Sequence, residues 1–295
     1  MSEKFTIALL QLELNNTPEN NRAKCCEWIE KAAAKGAQVI CLPELYSTYY
    51  FCQKEDVENY RFAEPLDGIT YQTFSALAKK LGVAIEVPFF EERAVGVYHN
   101  SAFIFDADGS QAGLYRKMHI PDDPLFYEKF YFAPGDLGFK AFDTKFGRVG
   151  TLICWDQWYP EGARLTAMQG AEVLFYPTAI GWHPAEKAQY GKKQHEAWMT
   201  VQRGHAVANG IYVATVNRVG FEKPYSDLAG LEFWGSSFIA GPQGEIIAQA
   251  SHDKEEILMA DIDRNLMADV RQNWPFFRDR RIDAFGDITK RYIDK

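Results

Sequence analysis

The sequence predicts an internally duplicated α/β fold, a four-layer α-β-β-α sandwich followed by a C-terminal extension. Three observations carry that prediction. Apolar strand-like runs alternate with helical segments along the 295 residues, which is the pattern of α/β architecture. The second half repeats the first: "KGAQVICLPE" at 35–44 is answered by "QGAEVLFYPT" at 169–178, "LGVAIEV" by "NGIYVATV", and the hairpin "SAFIFDADG" by "SSFIAGPQG". No Pro/Ser-rich or low-complexity linker separates the halves, which favours one domain with a shared core over residues 1–295. Two half-sheets with helices for only one face each bury their bare faces against one another and leave the helices outside.

Each element has its own signal. "KFTIALLQL" is a strand, and "TPENNRAKCCEWIEKAAAKG" is a helix with Thr17 as N-cap, Pro18 in the first turn and Gly36 as the stop. "AQVICLP" is a short buried strand. A helix over 69–81 closes at Gly82, "VAIEVPFFEE" is a strand, and "NSAFIFDADGSQAGLYRK" is a hairpin turning through Asp108 and Gly109. The tail from about 270 to 295, "NWPFFRDRRIDAFGDITKRYIDK", has no counterpart in the first half, and its mixed aromatics and charges suggest packing on a neighbouring subunit.

Composition narrows the function. The chain is 47% hydrophobic and 15% aromatic with a formal net charge of −8, which suits a globular enzyme with a sizeable core and disfavours nucleic-acid or anionic-membrane partners. No apolar run approaches the roughly 20 residues of a bilayer span, and the amino terminus lacks a signal-peptide layout, so the expected location is the cytoplasm. Five cysteines (25, 26, 41, 52 and 154) form neither a CxxC pair nor a regular disulfide framework and are expected to be reduced. The clustered histidines His183, His195 and His205 match no zinc-site spacing; neither a metal nor another cofactor is expected.

Three ionisable residues stand where strands run out: Glu44 after "VICLP", Lys117 after "GLYR", and Cys154 after "GTLI". A thiol is nucleophilic as thiolate, so Cys154 needs a base or a cation nearby, and a lowered pKa is expected of it. Glu44 suits the base and Lys117 the cation. No histidine context resembles that of a papain-like dyad.

The order Glu44, Lys117, Cys154, in the contexts "LPEL", "YRKMHIP" and "ICWDQWYPEGAR", resembles the nitrilase superfamily of carbon–nitrogen hydrolases over nearly the whole chain. The strings "YYFCQ", "EKFYFAPGD", "QGAEVLFYPTAIG" and "FRDRRID" are similar, more narrowly, to its N-carbamoylputrescine amidase subfamily. The resemblance implies a general base at Glu44, a nucleophile at Cys154 and an oxyanion partner at Lys117 helped by the Trp155 N–H, with a second carboxylate, Glu128, orienting Lys117. It also implies a small carbamoyl-amine substrate and a homodimer or higher homo-oligomer. Trp155, Trp158, Tyr159 and Tyr50 are expected around the substrate. An ammonium at its far end needs an anionic or aromatic partner, for which Asp122, Asp123 and Glu186 are candidates. The alternatives are an amidase for a carbamoyl amino acid or ω-amide, and a catalytically silent scaffold.

Overall fold

The computed structural model describes residues 2–294. In chain order its strands are β1 (Lys4–Gln11), β2 (Val39–Cys41), β3 (Ala84–Ala94), β4 (Val97–Phe105), β5 (Gln111–Arg116), β6 (Ala141–Asp143), β7 (Arg148–Thr151) and β8 (Val173–Thr178). They continue with β9 (Gly181–Trp182), β10 (Tyr212–Asn217), β11 (Val219–Glu222), β12 (Leu231–Trp234), β13 (Phe238–Ala240), β14 (Ile246–Gln249) and β15 (Glu256–Asp263). The helices are α1 (Pro18–Ala34), α2 (Ile69–Leu81), α3 (Pro160–Met168), α4 (Lys187–Asn209) and α5 (Arg264–Asn273).

Two six-stranded sheets share one plan. The first runs β15-β1-β2-β3-β4-β5 and the second β6-β7-β8-β10-β13-β14. In each, three parallel strands (β1, β2, β3; β7, β8, β10) are extended on one side by two antiparallel strands and on the other by a single antiparallel one. The duplication legible in the sequence is therefore a duplication of topology. A small third sheet, β11-β12-β9, stands apart from both.

Alternation along the strands assigns the layers. Ile7, Leu9, Val39, Cys41 and Ile104 point from the first sheet into a core shared with Val149, Ala214 and Ile239 of the second. Their neighbours Ala8, Leu10, Ile40, Ile85, Phe103 and Phe105 face the other way and meet Ile29 of α1 and Phe74 and Leu77 of α2. Ala163 and Ala167 of α3, with Trp198 and Ala206 of α4, cover the second sheet. The result is the predicted α-β-β-α sandwich. Polar contacts also cross between the sheets: the Thr151 hydroxyl of β7 donates to Glu86 Oε2 of β3 at 3.1 Å, and the Asp263 N–H of β15 donates to the Tyr212 hydroxyl of β10 at 3.1 Å.

The boundary residues act as their chemistry requires. Thr17 Oγ1 accepts the Asn20 N–H at the start of α1, and Gly82 ends α2 in the left-handed region at φ 67°. Gly109, at φ 85°, turns the β4–β5 hairpin. Beyond α5 the chain forms the short 3-10 turns Ile282–Ala284 and Gly286–Thr289 and leaves Trp274, Ile282 and Tyr292 more than half exposed. Among the described residues no helix is long and apolar enough to cross a membrane.

Candidate active site

The site forms where strands of both sheets end on the same side. β2 delivers Glu44 two residues past Leu42, β5 delivers Lys117 directly after Arg116, and β7 runs through Leu152 and Ile153 into Cys154. Glu44, Lys117 and Glu128 have no exposed surface, and Cys154 retains 5%.

Charge pairing explains how three ionisable groups tolerate that burial. Lys117 Nζ donates to Glu44 Oε1 at 2.7 Å and to Glu128 Oε2 at 2.6 Å. Burial opposes the lysine charge, but Glu128 and Glu44 outweigh it and hold the Lys117 pKa well above the usual value. Burial pushes Glu128 up to about 7, against the pull of Lys117. Tyr50 donates its hydroxyl to Glu128 Oε1 at 2.7 Å, and Asn100 donates its amide to Glu44 Oε1 at 2.7 Å. Glu44 Oε2 is buried with no hydrogen-bond partner among the described residues. One oxygen of Glu44 is thus fixed and the other is available for a proton.

The nucleophile turn is held from both ends. Cys154 opens a single 3-10 turn, Cys154–Trp158, with φ at +44°, a left-handed conformation that a non-glycine residue keeps only when its surroundings enforce it. Asp156 provides the enforcement. Its Oδ2 accepts the Ile153 N–H at 2.9 Å and the Tyr115 hydroxyl at 2.7 Å, and its Oδ1 accepts the His119 N–H at 2.9 Å and lies 2.7 Å from His119 Nδ1. Asp156 therefore ties the segment after Cys154 to the segment after Lys117. Gln157 anchors the far side, donating to Thr178 Oγ1 at 2.6 Å and accepting from Trp198 Nε1 at 2.8 Å.

One expectation is corrected here. The Cys154 pKa is not lowered: burial raises it well above the ordinary thiol value, Glu44 raises it further, and Lys117 offsets only part of this. A thiol shifted in that direction needs a base to take its proton during attack.

A cavity of about 400 Å³ opens onto Cys154. Trp155, Trp158, Phe126 and Trp234 supply its aromatic wall, and Asp123, Glu186, His183 and Gln194 its polar groups; among the described residues no lysine or arginine lines it. Gln194 donates to Glu186 Oε2 at 3.0 Å and orients it. Of the residues expected around the substrate, the structure thus places Trp155, Trp158, Asp123 and Glu186 on the cavity. It places Tyr50 behind Glu128, and Tyr159 flat against His119 with ring centroids 3.7 Å apart. Asp122 is exposed and is not among the lining residues. Asn100 and Asp156 received no role from the sequence. A polar residue inside the apolar strand "YHNSAFIF" is the signal that points to Asn100; Asp156 stands beside the nucleophile, but its partners Tyr115 and His119 are remote in sequence.

A buried thiol beside a carboxylate and an ammonium, at the strand ends of an α-β-β-α sandwich, is the equipment of a hydrolase that works through a covalent thioester. The chain belongs to the carbon-nitrogen hydrolase family, whose profile matches residues 6–272. It is accordingly a hydrolase of carbon–nitrogen bonds other than peptide bonds. It is 45% identical to an N-carbamoylputrescine amidase of Arabidopsis thaliana over 96% of this chain and 94% of that protein. It is 41% identical to a citrullinase of Francisella tularensis over 97% and 98% of the two chains. The crystal structure of a carbon-nitrogen hydrolase from Helicobacter pylori G27 superposes with a TM-score of 0.95 at 46% identity, covering 98% of this chain and all of that one.

Proposed function

We propose that the protein removes the terminal carbamoyl group of N-carbamoylputrescine, releasing ammonia, carbon dioxide and putrescine, with Glu44, Lys117, Cys154 and Glu128 as its catalytic residues. Cys154 Sγ attacks the carbamoyl carbon while its proton passes to Glu44, whose Oε2 is unpartnered. The resulting oxyanion is met by Lys117 Nζ and the Trp155 N–H. Collapse breaks the bond to the terminal nitrogen, which takes the proton from Glu44 and leaves as ammonia. A thioester to Cys154 remains. Glu44 then takes a proton from water, the hydroxide attacks the thioester carbonyl, and the C–S bond breaks as the sulfur is reprotonated. The freed N-alkyl carbamic acid loses carbon dioxide to give the amine. Glu128 keeps Lys117 charged and in place.

The observation that carries the substrate is the sign of the cavity wall. Asp123 and Glu186 line it with four aromatic side chains and, among the described residues, without a lysine or arginine, a setting that compensates a desolvated ammonium and leaves a carboxylate unpaired. Citrulline is the second reading, supported by the citrullinase relative; it carries a carboxylate that this wall does not meet. Ammonia release should be measured across N-carbamoylputrescine, N-carbamoylcadaverine, citrulline and N-carbamoyl-β-alanine. N-carbamoylputrescine is expected to lead the two carboxylates by at least about a hundredfold in kcat/KM. Equal turnover of a carboxylate substrate would refute the assignment.

The same reading takes residues 1–295 as one catalytic domain in a reducing compartment, the cytoplasm, where five free cysteines persist. It also takes the protein as a homo-oligomer joined through α3 and the tail. Leu165 and Met168 of α3 are exposed, and Arg280 of the tail donates to Met168 Sδ at 3.2 Å, which brings helix and tail together on one surface. Light scattering should give the mass of a dimer or larger; a monomer would remove this part.

A further inference from the structure

The general base sits in a poor place to be held. Glu44 enters a tight buried turn, and the next residue, Leu45, adopts φ +50°, a left-handed conformation that a branched side chain keeps only where its surroundings impose it. Both carbonyls of this turn are buried in the protein interior and need donors.

A single arginine from the other half of the chain supplies them. Arg218, between β10 and β11, has no exposed surface. Its Nε and Nη2 donate to the Glu44 carbonyl at 3.1 and 3.0 Å, and Nη2 also donates to the Leu45 carbonyl at 2.5 Å. Its remaining arm, Nη1, donates to Glu222 Oε1 at 2.9 Å, so its charge is balanced. Glu222 Oε2 in turn accepts the Tyr50 N–H at 2.6 Å. Tyr50 is the residue whose hydroxyl holds Glu128, and Glu128 holds Lys117, which holds Glu44. The contacts close a ring: Arg218, Glu222, Tyr50, Glu128, Lys117, Glu44 and back to Arg218.

We propose that Arg218 and Glu222 are positioning residues for the reaction, an arginine fork that sets the backbone of the general base and is itself registered against the Lys117–Glu128 pair. This rests on Glu44 being the base. Neither residue lines the cavity, so their contribution is to the placement of Glu44 and not to substrate binding. The planar fork matters as much as the charge. A lysine at 218 restores a cation beside Glu222 but cannot grip two successive carbonyls at once.

Arg218→Lys, Glu222→Gln and Glu44→Gln are to be compared with wild type, using whichever carbamoyl substrate the wild-type enzyme turns over, after circular dichroism and thermal melting establish that each variant folds. Misplacement of a reacting group by about 1 Å costs on the order of a hundredfold; Arg218→Lys is therefore expected to lower kcat by about that factor with KM within about threefold of wild type. Glu222→Gln presents either an amide N–H to the Tyr50 N–H or a lost acceptor to Arg218, and should lower kcat by at least about tenfold, again with little change in KM. A folded Arg218→Lys with kcat within about threefold of wild type overturns the proposal, as does a loss confined to KM. Should Arg218→Lys not fold, Glu222→Gln decides alone by the same criteria, since it retains size and one of the two hydrogen bonds that Glu222 accepts. Glu44→Gln separates the two levels: if it is active, the base assignment fails; if it is inactive while both clamp variants are normal, only the clamp fails.

Discussion

Glu44 divides its two carboxylate oxygens between holding and reacting. Oε1 is bound by Lys117 and Asn100, and Oε2 has no partner among the described residues. Its charge also opposes ionisation of the thiol it is to deprotonate. The two effects can be pulled apart. Glu44→Gln should abolish turnover and yet lower the pH at which Cys154 ionises, because a nearby negative charge that disfavours the thiolate has been removed. The ultraviolet absorbance of the thiolate, taken as the difference from Cys154→Ala, reads that pH directly; an unchanged or higher value contradicts the electrostatic account. Much of this was legible in the sequence. Glu44, Lys117 and Cys154 each follow a short apolar strand, and strand ends in α/β folds are where chemistry collects. The direction of the thiol's pKa was not legible, since it depends on whether burial or the neighbouring lysine prevails, and burial is a property of the folded core.

At the scale of the element, the pieces that carry catalytic side chains are fixed by neighbours distant in sequence. The Lys117 carbonyl accepts the Gly135 N–H at 2.7 Å, and a Cβ built on Gly135 would lie 2.0 Å from the Arg116 carbonyl oxygen. Only a glycine allows that loop so close to the end of β5. Gly135→Ala should displace the Lys117 backbone and reduce kcat by at least about tenfold in a protein that still folds; activity within about twofold of wild type would show that β5 holds Lys117 unaided. The elements themselves were legible. Thr17 and Gly36 bound α1, Gly82 ends α2, and the Asp-Gly pair turns the hairpin, because caps and turns are local chemistry. The contacts of Asp156 with Tyr115 and His119 were not, because they join β7 to β5 across two sheets. The same holds for Arg218, which lies 174 residues from the turn it clamps.

The whole molecule is two copies of one sheet plan facing each other, and the space between them contains an ionisable group. Burial raises the Glu86 pKa to about 8, from an ordinary 4.5, only partly offset by hydrogen bonds from Thr151 and Cys41. A carboxyl whose folded pKa is raised stabilises the fold fully below about pH 4.5, and that contribution is lost as pH rises through about 8. Every tenfold change in proton affinity between the folded and unfolded chain is worth about 1.4 kcal/mol, so the loss amounts to a few kcal/mol. Glu86→Gln, neutral at every pH, should remove it. Urea midpoints measured from pH 5 to 9 are expected to fall less steeply in the variant, and parallel curves would show that Glu86 is not the group responsible.

The pairing of β15 with β1 has a consequence for how the molecule is made. All eight residues of β1, from Lys4 to Gln11, are matched one for one by residues 263 down to 256. While the chain is being synthesised, β1 emerges long before the strand that covers its outer edge, which lies beyond all the other strands of both sheets. Through most of that interval an apolar strand presents unpaired backbone groups, the condition under which strands recruit one another into aggregates. The first sheet can reach its final width only when Asp263 has left the ribosome. Completion of the first sheet thus waits for a strand that follows every strand of the second, and the order in which the two sheets mature is the reverse of the order in which they are encoded.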